Sequence, residues 1–110
     1  MTDRRSTIAA LNDRLRTTPT SGHVMLPPGI RALPMQTQLA VLARVRAFSD
    51  FSADNNPYGE HDFGAIYHAE AGRILWKINY YDPTLTAGST DPADPAMTCR
   101  VLTIMLAQEY

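Results

Sequence analysis

The chain has 110 residues, 45% of them hydrophobic, and a formal net charge of −1. That length suits one domain rather than two, and that apolar content excludes wholesale disorder. A balance so near zero names no partner, but its distribution is uneven: residues 1–49 carry seven arginines against Asp3 and Asp13, whereas residues 50–110 carry Arg73, Lys77 and Arg100 against nine acids.

Kept on separate faces, these charges would form a dipolar surface suited to steering a charged partner; mixed, they are ordinary solvated faces. Cys99 is the only cysteine, so no internal disulfide can form. The start, Met1-Thr2-Asp3-Arg4-Arg5, lacks the apolar run of a signal peptide, and the most apolar stretch, 101–107, is too short to cross a bilayer. The expectation is a cytoplasmic protein with no membrane partner.

Ser6 or Thr7 opens a helical pattern that places Ile8, Leu11 and Leu15 on one face and leaves Arg4, Arg14 and Arg16 to project to water. It should end near Thr17, ahead of Pro19. Residues 23–26 predict a short strand, stopped by Pro27-Pro28-Gly29. Pro34 suits the first position of a second helix reaching about Ser49, with Leu39, Leu42 and Val45 on one side and Val41 and Phe48 widening the stripe. Residues 63–69 and 73–82 predict a hairpin, with Gly72 supplying the permissive backbone position of its turn. In its second arm Ile74, Trp76, Ile78 and Tyr80 alternate with Leu75, Lys77, Asn79 and Tyr81, which puts the first set on the core face.

After a loop over 82–93, Asp94-Pro95 resembles a helix start. A third, mostly buried helix is expected from there nearly to the end, with Cys99, Leu102 and Leu106 along one side, and Met97 and Met105 as core filler. The predicted order is α-β-α-β-β-α: one α+β domain over 1–110, three helices packed on a small antiparallel sheet.

The chemistry-rich segment is Asp54-Asn55-Asn56-Pro57-Tyr58-Gly59-Glu60-His61-Asp62-Phe63-Gly64. Counted from Asp54 as a calcium loop, Asn56 and Gly59 fit, but Tyr58 and Ala65 stand where an acid or amide and the bidentate glutamate belong. A zinc site would need Cys99 and the histidines at 23, 61 and 68 to converge from distant segments. No metal or other cofactor is expected.

A carboxylate beside His61 could orient its imidazole for proton transfer, and Lys77, Tyr81 and Asp82 could approach across the hairpin. On an extended chain, however, Glu60 and Asp62 point the same way and His61 the other. No nucleophile motif or phosphate loop accompanies them. Asp, Asn, Pro and Gly are also ordinary turn residues, which leaves a purely structural role open. Trp76, Tyr80 and Tyr81 could stack on bases or a sugar, or serve simply as strand residues.

The strings Leu11-Asn12-Asp13, the 54–64 segment, Trp76-Lys77-Ile78-Asn79-Tyr80-Tyr81-Asp82 and Arg100-Val101-Leu102-Thr103-Ile104-Met105-Leu106-Ala107 resemble those of a small bacterial family, domain of unknown function 3768. The family pattern has aspartate where this chain has Asn55 or Asn56, and again at Asn79, which weakens any role needing a full carboxylate cluster. The resemblance transfers no reaction. It implies a setting among plasmids, phages and other mobile elements, with a role in conjugation or in blocking host defence.

The expected function is therefore a small protein-interaction module, in its most concrete form an inhibitor of host defence of the anti-CRISPR or anti-restriction type. Its binding residues would be Asp54, Asn56, Tyr58, Glu60, His61, Asp62, Trp76 and Tyr81, with a protein partner and a homodimer contact left open. The first alternative is a hydrolase using Glu60, His61, Asp62, Lys77 and Tyr81, with or without a divalent metal. The second is a nucleic-acid binder using Arg4, Arg5, Arg14 and Arg16.

Overall fold

The computed structural model describes residues 3–18, 22–52 and 56–110. Helix α1 spans Arg4–Thr17, strand β1 His23–Met25, the single turn α2 Pro28–Arg31 and helix α3 Met35–Arg46. Strands β2, Phe63–His68, and β3, Gly72–Tyr81, form the hairpin; β4, Cys99–Leu106, follows, and a short 3-10 turn, Ala107–Glu109, ends the chain. The fold class is α+β, as the patterns predict.

Each start signal has a physical cause. Asp3 caps α1 by accepting the Arg5 amide, and Pro28 sits in the first turn of α2, where its missing N–H costs nothing. Pro34 is the N-cap of α3 rather than its first residue, so the helix starts one position later than expected. Gly72, at φ +81°, lets the hairpin turn close without a Cβ penalty.

The sheet order is β1-β4-β3-β2, with β1 and β4 parallel and the other pairs antiparallel. The expected C-terminal helix is therefore replaced by a strand, and the sheet is mixed rather than antiparallel. Apart from Arg100 and Thr103 the segment 99–106 is apolar, a pattern that helix and buried strand share. Its β-branched Val101, Thr103 and Ile104 favour the strand, and β4 lies between two neighbours with six of its eight residues buried. The Asp94 carboxylate does accept a nearby amide, that of Ala96, but it closes a turn instead of starting a helix.

The three helices send Leu15, Ile30, Val41 and Val45 onto one face of the sheet, where they meet Ile66, Ile74, Trp76, Ile78, Leu102 and Ile104. Each such side chain contributes roughly 1.5–3 kcal/mol on full burial. Gly64 makes room for Trp76: a Cβ there would lie 2.7 Å from Phe48 Cζ and closer still to the indole nitrogen. On α3 the buried row is Thr37, Val41 and Val45, while Leu39 is exposed, a rotation of the predicted stripe. Thr37 joins that row because its hydroxyl donates to Glu70 at 2.9 Å. Met97 is exposed and Met105 buried.

Among the described residues no α-helix packs across the opposite face of the sheet. Register places His23 and Met25 of β1, Val101, Thr103 and Met105 of β4, Leu75, Lys77, Asn79 and Tyr81 of β3, and Phe63, Ala65 and Tyr67 of β2 on this side. Tyr110 reaches back over one part of it: its ring lies 6.5 Å from that of Phe63, and Lys77 Nζ lies 5.6 Å above its centroid. No described helix is long and apolar enough to cross a membrane.

Candidate functional site

Asp54 lies outside the described residues. Asn55 lies there too; of the described part, Glu60 and His61 are pinned to α1. Asn56 Oδ1 accepts the His61 amide at 3.0 Å, which holds His61 at φ +56°, a left-handed conformation costly for a residue with a Cβ. The His61 ring stacks flat on Phe51, centroids 3.7 Å apart, with Nδ1 3.0 Å from an Asp13 carboxylate oxygen. The same carboxylate accepts from Arg16 Nη2 at 3.0 Å.

Arg16, expected in solvent, is 4% exposed. Its Nη1 donates to the carbonyls of Val45, Arg46 and Phe48, satisfying orphan acceptors at the end of α3. Its guanidinium also lies 5.3 Å from the Phe51 ring centroid and 5.2 Å from that of Trp76. One cation thus ties α1, α3 and the aromatic cluster together.

A second hub forms around Asn12, which is wholly buried. Its Nδ2 donates to the Glu60 carbonyl at 3.0 Å and to the Tyr80 hydroxyl at 2.8 Å, and its Oδ1 accepts from Arg100 Nε at 2.8 Å. Tyr80 in turn donates to Glu60 Oε1 at 2.8 Å. Burial and that bond to Glu60 push the phenol far above its ordinary range, so Tyr80 stays a proton donor. Burial pulls Arg100 down from the usual arginine range, opposed by Tyr80 and Glu60. Burial likewise raises Asp62, with Glu60 adding to the effect and its own backbone hydrogen bond and His61 opposing it.

Glu60 and His61 are thus turned toward α1 and β3, with partners of their own, whereas Tyr58 is 68% exposed. Trp76 is 0% exposed, so it cannot meet a partner at the surface; its place is in the core against Gly64. Lys77 and Tyr81 lie on the helix-free face, across the sheet from Tyr80 and its Glu60 contact, because side chains alternate along β3. The five groups of the expected hydrolytic site are therefore split between two faces. Among the described residues no three His, Cys, Asp or Glu side chains gather as a metal site.

The arginines expected to bind nucleic acid also part ways. Arg4 pairs with Asp91 at 2.9 Å, Arg5 with Asp3 at 3.6 Å, and Arg16 is buried; Arg14 has no ion pair among the described residues.

The hub residues Asn12, Asp13, Arg16, Tyr80 and Arg100 escape a reading that looks for catalytic spacing. One signal was available: Asn12 falls four positions after Ile8 and three before Leu15, a polar amide inside the buried stripe of α1.

The concave feature of the helix-free face is a groove of about 830 Å³. Val24, Met25, Leu85 and Met105 make it apolar, Tyr81 stands in it, and Arg31 and Lys77 charge it. Neither cation has an ion pair among the described residues, while Glu109, the acid in the lining, is committed to the amides of Gly29 and Leu106.

No curated protein and no solved structure matches this chain. Residues 26–109 match the model of a protein family of unknown function, DUF3768, and the chain belongs to that family.

Proposed function

We propose that this chain is a protein-interaction module that docks its partner on the helix-free face of the sheet. The carrying observation is the groove itself. Met25 is 56% exposed and Tyr81 37%, beside Leu85, with two cations, Arg31 and Lys77, that have no ion pair among the described residues. Contiguous exposed apolar surface rimmed by charge is what a binding face presents before its partner covers it. The pairing of Arg31 and Lys77 with apolar walls fits a partner segment that is acidic and apolar together. Tyr58 is a further candidate anchor.

The mobile-element setting implied by the sequence resemblance gives the reading its concrete form: a small cytoplasmic protein, made by the element, that occupies a host protein and blocks defence. The test is co-purification from the native host. The double variant Lys77→Glu/Tyr81→Ala should lose the partner while keeping the wild-type fold. Leu39→Ala, on the exposed side of α3, should retain it. Equal recovery with the double variant would refute docking on this face.

A further inference from the structure

We propose that Arg14 and Arg100 together bind a small phosphate-class oxyanion in the concavity between the end of α1 and the start of β4. This hollow of about 230 Å³ is lined by Leu11, Arg14, Pro95, Thr98 and Arg100. Its volume is several times the roughly 30 Å³ that one water takes up in the liquid.

Arg100 is 5% exposed, yet no carboxylate forms an ion pair with it. Its Nε is spent on Asn12 and its Nη2 on the Pro92 carbonyl. Nη1 has no hydrogen bond among the described residues, and it is not among the donors sealed in the core. Glu60 and Tyr80 favour the charge on Arg100 through space, but burial outweighs them, and an anion in the hollow would offset that cost. Arg14 supplies a second charge, with no ion pair and no side-chain hydrogen bond of its own among the described residues. Thr98 Oγ1 is already committed to the Asp91 carbonyl, so the free donors of the hollow are guanidinium N–H groups.

Two arginines lining one small hollow suit a tetrahedral oxyanion, whose several oxygens can accept charge-assisted hydrogen bonds from both. Leu11 and Pro95 add an apolar wall that suits the organic portion of a phosphate monoester. Occupancy would neutralise Arg100 and fix the 91–98 loop against α1.

The test is NMR titration of the full chain with inorganic phosphate and, separately, with a nucleoside 5′-monophosphate, using chloride at matched ionic strength as the control. The proposal expects saturable shifts at Leu11, Arg14, Thr98 and Arg100 with phosphate and none with chloride. Tighter binding of the monoester identifies an organic phosphate as the ligand; equal binding identifies the free anion. Arg14→Gln, at an exposed position, should keep the spectrum of the folded chain and weaken phosphate binding roughly tenfold or more. Arg14→Lys should recover part of that loss. Unsaturable shifts, the same shifts with chloride or with the unphosphorylated nucleoside, or undiminished binding in Arg14→Gln would each overturn it.

Discussion

Asn12→Ala removes the junction that fastens α1 to the 56–62 segment, to β3 and to β4. The structure sets the size of the effect. Two neutral hydrogen bonds are lost, to the Glu60 carbonyl and the Tyr80 hydroxyl, along with one from the charged Arg100. At about 1 kcal/mol for each neutral bond and roughly 1.5–3 for the charged one, the loss comes to about 3–5 kcal/mol. Arg100 Nε and the Glu60 carbonyl are left facing a gap, which keeps the loss toward the upper end. Against the ~5–15 kcal/mol that holds an ordinary domain together, the variant would be marginal. Urea unfolding followed by circular dichroism measures it, and the midpoint should fall without a change in slope. Asn12→Asp keeps an acceptor for Arg100 but loses both donors and points a carboxylate at the Glu60 carbonyl, so it too should be destabilised. A loss below about 1 kcal/mol in Asn12→Ala would show that the buried junction contributes little beyond what water replaces.

Three further outcomes follow from the same geometry. Gly64→Ala should destabilise by roughly 1–3 kcal/mol, because the added methyl collides with Phe48 and the Trp76 indole; pairing it with Phe48→Leu should return part of the loss in thermal unfolding. Burial raises the Asp62 pKa above 3.8, so between 3.8 and the raised value the folded chain holds more protons than the unfolded one, and stability falls as pH rises through that window. Asp62→Asn should therefore gain stability over wild type at neutral pH and lose that advantage below 3.8; an equal difference at both values would refute it. His61→Ala combined with Asp62→Ala should lower the unfolding midpoint, because His61 brings the Phe51 stack and the Asp13 bond to the fold; unchanged stability would free His61 for a purely functional role.

The hairpin, the first helix and the core face of β3 were legible because each follows a clean period, although that helix begins at Arg4, ahead of the expected Ser6 or Thr7. Ile74, Trp76 and Ile78 alternate, and Gly72 marks the turn between the arms. Residues 99–106 were not, since apolar residues at both odd and even positions leave no clear period to choose by, and the Asp94-Pro95 pair imitates a helix cap. Only the sheet context decides it: β1 and β3 both need a neighbour, and β4 supplies one to each.

The site was legible in part. The described part of the 54–64 segment, residues 56–64, is a junction: Glu60 and His61 turn toward α1, 48 positions away in sequence. Contacts of such separation have no local signature. Arg16 shows the difficulty plainly: on a helix surface it reads as a solvated cation, and three carbonyls arriving from the end of α3, with the Asp13 carboxylate, make its burial favourable. The helix-free sheet face was half visible, through the incompletely polar row of Leu75 and Tyr81.

The docking claim is tested most directly by methyl NMR of the chain with and without its partner, once the two are co-purified. Binding on the helix-free face predicts that the methyl signals of Met25, Leu85 and Met105 shift, while those of Leu39 and Met35 on α3 stay in place. The reverse pattern, with α3 perturbed and the groove methyls unmoved, would contradict it.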